Sequence, residues 1–399
     1  MSPLRIRRFT ATTALGRGNA AQLDGLKAGR SGLRRNDFGD GLLAEQRLDT
    51  WIGRVDGLED APLPPQLATW ECRNSRLAWL ALQQDGLLEA VHAARERWGA
   101  ARIAIVLGTS TSSIGATEEA YARLQQGAFP PDLDRPHIHT PHSLGAFVQA
   151  ATGLHGPCVT VATACSSSAK VFAQAARLLQ AGRVDAALVG GVDTLCGSVL
   201  YGFNALGLVS AQPCRPFDAR RDGLSLGEAG GFALLERADP GDTGLLLRGY
   251  GESSDAHHMS APHPQGLGAR LCMGDALARA GVEAAEVDYL NLHGTATPAN
   301  DAVEAAAVAA LFPERLHASS TKGWTGHTLG AAGIVESVFA LLALQHGLLP
   351  GTLNSDQSDA ANGAQIRFNM DQRPIWHAMS NSFGFGGNNC SLLFSRGDA

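Results

Sequence analysis

An α/β fold is expected from the order of apolar segments, the glycine content and the lack of any break in the chain. Short β-branched runs alternate with longer stretches of helical periodicity. Glycine accounts for 47 of the 399 residues, which suits tight strand-to-helix turns and close backbone approach to a ligand. No low-complexity tract, charge block or long linker interrupts the sequence, so one unit with two or three lobes is expected.

Residues 103–107, 184–189, 287–292 and 366–369 read as strands. Helical segments follow at 166–181, 302–311 and 329–346. In the first of these, Val171, Phe172, Ala175, Leu178 and Leu179 share one face. The basic cluster Arg5, Arg7, Arg8 reads as a solvated strand edge. The two halves repeat a rhythm: 157–163 leads through Cys165 into a helix and the strand at 184–189. Likewise 287–292 leads through His293 into a helix and a strand at 316–320. Pattern alone also allows one large doubly wound sheet.

A net charge of −6 with no basic stripe argues against a nucleic-acid partner. Seven cysteines fall at 72, 158, 165, 196, 214, 272 and 390 with no C-x-x-C pair. No apolar leader opens the sequence, and no uninterrupted apolar run reaches membrane-spanning length. A cytoplasmic protein with free thiols, no membrane span and no metal site is therefore expected.

Four segments carry chemistry. Val159-Thr-Val-Ala-Thr-Ala-Cys165 places a thiol where a strand turns into a helix. Buried cysteines usually serve packing, but here the helix N-terminus is expected to favour the nucleophilic thiolate. In Asn291-Leu-His293-Gly-Thr295-Ala-Thr297-Pro298, a histidine leaves the end of an apolar strand, where open α/β folds bind ligands. In Lys322-Gly-Trp-Thr-Gly326-His327, lysine stands out because only three of the 32 basic residues are lysine, the others being arginine. A compact ammonium is thus retained where the chain otherwise uses a fork. Ser380-Asn-Ser-Phe383-Gly-Phe385-Gly-Gly387 is a glycine-rich turn without the spacing of a dinucleotide loop.

Taken in order, these segments resemble the β-ketoacyl-[acyl carrier protein] synthases I/II of the thiolase superfamily, from about residue 70 onward. Arg215-Pro-Phe-Asp218 and Ser253-Ser-Asp-Ala-His-His-Met259 add to the likeness. Thr-Pro-Ala-Asn300-Asp, Gly-Gly-Asn388-Asn389 and Cys72-Arg-Asn-Ser-Arg-Leu77 are most similar to synthases of aryl-polyene or xanthomonadin-type pigment pathways. The resemblance implies a five-layer αβαβα fold of two related halves, 1–245 and 246–399. It further implies decarboxylative Claisen condensation. Cys165 would be the acyl-carrying nucleophile, and His293 and His327 would donate to the developing enolate oxygen. Lys322 would orient the site through Glu336, with Asp301 as second candidate. The N–H groups of Cys165 and Phe385 would form the oxyanion hole, with Phe385 also gating the acyl tunnel. Thr295 and Thr297 would hold the phosphopantetheine arm of an acyl carrier protein, no cofactor being bound.

A homodimer, or a heterodimer with a related synthase or chain-length-factor subunit, is implied, with 159–163 and 195–203 as the candidate interface and 109–113 as the tunnel wall. Asn300 and Asn388 depart from the family pattern, and Asn204 stands where housekeeping members carry a docking arginine. A chain-length factor itself would lack the nucleophile. A coenzyme A-dependent thiolase would need a second active-site cysteine, for which Cys390 is the candidate. A Cys-His hydrolase would need an orienting Asn or Asp.

Overall fold

The computed structural model describes residues 1–39 and 42–397. Its main sheet contains the strands β1 (Leu4–Thr13), β2 (Ile103–Gly108), β3 (Cys158–Val161), β4 (Ala186–Asp193), β5 (Ala229–Arg237), β6 (Leu245–Ser254), β7 (Tyr289–Asn291), β8 (His317–Ser319), β9 (His377–Gly384) and β10 (Asn388–Arg396). They lie in the order β8-β7-β9-β10-β6-β1-β5-β4-β2-β3, with the two-residue strand Gly16–Arg17 paired onto β1.

Outward from the centre, β1-β5-β4-β2-β3 and β6-β10-β9-β7-β8 have the same connectivity and the same sequence of strand directions. In each, the first two pairings are antiparallel and the next two parallel. The halves meet where β1 pairs with β6, Leu4 opposite Leu247. One topology has therefore been used twice.

Among the helices that complete the layers are α1 (Arg73–Leu82), α2 (Leu87–Trp98), α3 (Ser143–Thr152), α4 (Ser167–Gln180), α5 (Leu267–Ala280), α6 (Pro298–Leu311) and α7 (Ala332–His346). The first three cover the outer face of the first half, where Leu77, Val91 and Phe147 join one apolar cluster with Ile105 and Leu188. Met273 and Val308, from α5 and α6, do the same with Leu290 and Leu393 in the second half. Between the halves lie α4 and α7, whose Phe172 and Phe339 share the central cluster with strands of both. The result is five layers, α-β-α-β-α.

From Ala332 to Leu344 every residue of α7 is buried, as expected of a helix that is apolar all round. The segment Leu329–His346 is long and apolar enough to cross a membrane, yet it is packed in the interior. The central helices touch at Gly333, where a Cβ would lie 2.4 Å from the backbone nitrogen of Ala169. Only glycine permits that approach.

Three expectations are corrected. Arg5, Arg7 and Arg8 do not mark an edge, because β1 lies in mid-sheet between β6 and β5; Arg7 is held there by Glu236 at 2.8 Å. Residues 366–369 form no strand, making only a single bridge from Ile366 to Ala318. The internal repeat is also shifted by one strand. By topology β3 corresponds to β8, so the counterpart of the Cys165 turn is the His327 turn and not the His293 turn. Successive parallel strand–turn–helix units look alike in sequence, and only the pairing order tells them apart.

Candidate active site

The functional segments converge because they leave the strands at one end, the C-terminal ends of β3, β7 and β8. Cys165 sits in the turn Ala164–Ser166 between β3 and α4, and His327 just precedes the matching turn Leu329–Ala331 before α7. Both turns hold a non-glycine residue at positive φ, Ala164 at 52° and Leu329 at 57°. Each costs about 1–2 kcal/mol. Such strain clusters where side-chain position matters, and Ala296 (φ 67°), between Thr295 and Thr297, is a third case.

The sulfur of Cys165 lies 2.9 Å from His327 Nε2. The reactive atoms of Cys165, His293 and His327 are all within 4.8 Å of one another. The two imidazoles stand edge to face at 5.4 Å between ring centres. All three side chains are 5% exposed or less and line a cavity of about 370 Å³ that Thr295, Thr297 and Phe385 also border. The hydroxyls of Thr295 and Thr297 lie 2.9 Å apart.

Lys322 fixes His293 from behind. Its ammonium, 2% exposed, donates to the backbone carbonyl of His293 and to Glu336, and it lies 3.5 Å from His293 Nδ1. An ammonium has three donors and no acceptor, so Nδ1 must accept and the ring proton is assigned to Nε2, facing the cavity. The partner of Lys322 is thus Glu336. Asp301 instead accepts the backbone N–H of Phe217 at 2.8 Å and of Ala296 at 3.2 Å, shaping the threonine loop. Burial pushes the carboxyl of Glu336 up to about 7 against the pull of Lys322, and that of Asp301 to about 6.

The expected thiolate is corrected. Burial raises the Cys165 thiol to about 12, with Lys322 pulling the other way. That disfavours the anion by about 4 kcal/mol, against about 1 kcal/mol of help from a helix N-terminus. Desolvation is the larger of the two effects, so burial favours the thiol over the thiolate. Both imidazoles are held neutral, their pKa values well below the ordinary range through burial first and the Lys322 ammonium next. His327 Nδ1 is buried without a hydrogen-bond partner among the described residues. A proton there would be an orphaned donor, so the proton of His327 is also assigned to Nε2.

Sequence reasoning missed several supporting groups. Glu304 accepts the backbone N–H groups of His293 and Gly294 at 2.8 and 2.7 Å and is braced by Asn381. Burial raises its carboxyl to about 7. Its spacing of three from Asp301 on α6 was the available signal, since i and i+3 share a helix face. Asp193, fully buried at the end of β4, takes hydrogen bonds from Thr109, Ser110 and Thr111. It thereby moulds the loop 109–113, which borders a second cavity of about 270 Å³ with His139, Pro141 and Ala162. Phe203 stacks on Phe385 at 5.8 Å. Of the two departures in the motifs, Asn388 accepts from Lys170 at 3.3 Å and Asn300 donates to Asp301 at 3.1 Å.

The expected interface splits in two. Strand β3 lies at the edge of the sheet with its four residues half-buried. In 195–203, however, Leu195, Val199 and Leu200 belong to the chain's own core. Just beyond that region the large apolar side chain of Leu206 is exposed, at 58%. Cys390 is buried on β10, paired opposite Ser382 and Glu252, and does not border the cavity of Cys165.

Comparison with known proteins agrees with this arrangement. Residues 68–240 match the family model described as β-ketoacyl synthase, N-terminal domain, and residues 246–356 match its C-terminal domain. The 3-oxoacyl-[acyl-carrier-protein] synthase 2 of Rhizobium meliloti (strain 1021) is 42% identical over 260 residues, covering 61% of this chain and 62% of that relative. The enzyme of the same name from Coxiella burnetii is 33% identical over 343 residues, 77% of this chain and 81% of the relative. Among solved structures, a ketosynthase in complex with its chain length factor, from Xenorhabdus doucetiae, superposes with a TM-score of 0.88 at 35% identity, covering 99% of this chain and 98% of the other.

Proposed function

The chain belongs to the β-ketoacyl synthase family, and from that premise we propose that it is a β-ketoacyl-acyl carrier protein synthase working in fatty acid or polyene/polyketide synthesis. The observation that carries this reading is one thiol grouped with two buried imidazoles on the same cavity, their reactive atoms all within 4.8 Å of one another. A hydrolase needs a base oriented by an acceptor. Here neither imidazole has a carboxylate partner among the described residues: a lysine faces His293 Nδ1, and His327 Nδ1 has no hydrogen-bond partner. The arrangement suits two fixed hydrogen-bond donors and one nucleophile.

In the first half-reaction the Cys165 sulfur attacks an acyl thioester on the phosphopantetheine arm of the carrier, held by Thr295 and Thr297. The N–H groups of Cys165 and Phe385 receive the oxyanion. The proton of Cys165 ends on the released pantetheine thiol, so no net proton is consumed. Before acylation, His327 Nε2–H is engaged with the thiol sulfur. A thioester sulfur is a poorer acceptor, so acylation frees that donor for the second substrate. Malonyl-carrier then loses carbon dioxide, and His293 and His327 stabilise the enolate oxygen. Donors held in place where charge develops contribute most to lowering the barrier of such a step. The enolate carbon attacks the acyl carbonyl, and the Cys165 sulfur departs and regains a proton from solvent.

The edge strand β3 and the second cavity behind Ala162 suggest that a second subunit closes the acyl tunnel. The ketosynthase from Xenorhabdus doucetiae, in its complex with a chain length factor, favours a related, non-identical partner. Condensation is tested with malonyl-carrier against coenzyme A thioesters alone, with the same preparation run by light scattering. Carrier-dependent release of carbon dioxide with a β-ketoacyl product, from a dimer or heterodimer, is expected. Carrier-independent thiolysis would remove the assignment, and an active monomer would remove the dimer.

A further inference from the structure

Cys165, His293 and His327 form a set of donor atoms close enough together to hold a metal ion. A tetrahedral site with Zn–S near 2.3 Å and Zn–N near 2.0–2.1 Å needs its donors about 3.3–3.8 Å apart. Here the three donor atoms already lie within 4.8 Å of one another, the closest pair at 2.9 Å. The adjoining cavity would leave a fourth position open to water. Bound metal would hold the sulfur lone pairs and silence the nucleophile. A soft ion is therefore a hazard to this site.

The surroundings of the imidazoles oppose it. A histidine that binds metal through one nitrogen carries its proton on the other and donates it to a carboxylate, carbonyl or water. Coordination by the cavity-facing Nε2 of His293 would put that proton on Nδ1, 3.5 Å from the Lys322 ammonium. Donor would then face donor. Lys322 cannot easily turn away, because it is also tied to Glu336 and to the His293 carbonyl. His327 is no better placed, since its Nδ1 has no acceptor among the described residues. Both rings present Nε2–H toward the cavity, and a metal accepts neither in that form.

We propose that Lys322, besides orienting His293, keeps thiophilic metal ions out of the Cys165–His293–His327 cluster by denying the His293 Nδ1 proton an acceptor. The role depends on the cluster's geometry alone, so it stands or falls independently of the condensation reading. It also explains why an ammonium, and no amide or hydroxyl, sits behind His293: either of those groups could accept the Nδ1 proton and so complete a metal site.

The test is a titration of chelator-treated protein with cadmium ion, read by the ultraviolet charge-transfer band of a cadmium–thiolate bond. Lys322→Gln, whose amide oxygen can accept from Nδ1, is expected to bind one equivalent at least about a hundredfold tighter than the unmodified protein, the scale of an outer-partner effect on metal affinity. Adding Cys165→Ala to that variant should remove the band. Should Lys322→Gln fail to fold beside a charged Glu336, the double variant Lys322→Gln/Glu336→Gln removes both charges together and makes the same prediction. Equal affinity in the unmodified protein and the variant would overturn the proposal. So would a band that survives Cys165→Ala, since the metal would then reside on another cysteine.

Discussion

Cys165→Ala is expected to abolish self-acylation and condensation, by about 10⁴-fold or more, while decarboxylation of malonyl-carrier continues. Among the described residues, Cys165 is the only cysteine bordering the cavity that the histidines share, so no other thiol can take over the acyl group. Decarboxylation requires donors to an enolate oxygen, and these are the two Nε2–H groups, which the substitution leaves in place. It also frees His327 Nε2 from its 2.9 Å contact with sulfur. The fold should survive, because alanine removes one atom and no ion pair. Intact-protein mass spectrometry after incubation with acyl-carrier gives the acyl stoichiometry, and released carbon dioxide gives the second activity. Acylation of the alanine variant would mean that the nucleophile lies elsewhere.

Lys322→Arg is expected to lower condensation by about 100-fold, the loss that follows removal of one fixed donor, despite keeping the charge. Nζ serves the His293 carbonyl, Glu336 and His293 Nδ1 from a single point. A bulkier planar fork cannot meet three partners arranged around a point. In a site only 2% exposed it must also displace its neighbours, at about 1–3 kcal/mol of stability. The two effects separate experimentally. Loss of orientation at His293 lowers kcat for decarboxylation and spares acylation of Cys165, whereas collapse of the site lowers both. Near-normal turnover would reduce Lys322 to a packing residue.

Much of the site was legible in the sequence because the chemistry falls at strand ends. Cys165, His293, His327 and Phe385 each come after a strand, and an α/β fold gathers such ends on one side. Glycines at the turns marked where the chain reverses. What pattern could not supply was pairing order. Whether β3 matches β7 or β8 depends on which strands are neighbours, and that information is non-local. The same limit hid Asp193, whose partners Thr109 to Thr111 lie more than 80 positions earlier in the chain. It also hid the mid-sheet place of β1, because Arg5, Arg7 and Arg8 look solvated until Asp242 and Glu236 are seen beside Arg5 and Arg7. The thiolate expectation failed for a different reason. The helix end was visible in the sequence, but burial was not, and burial is the larger energy.

Labour in this site is divided, with sulfur carrying the acyl group and the imidazoles serving the enolate. The most direct test measures acylation stoichiometry and malonyl decarboxylation on the same samples of His293→Ala and His327→Ala. Each variant should still load an acyl group on Cys165 while its decarboxylation falls by about 10²–10³-fold. Decarboxylation retained in both variants, with acylation lost, would contradict it.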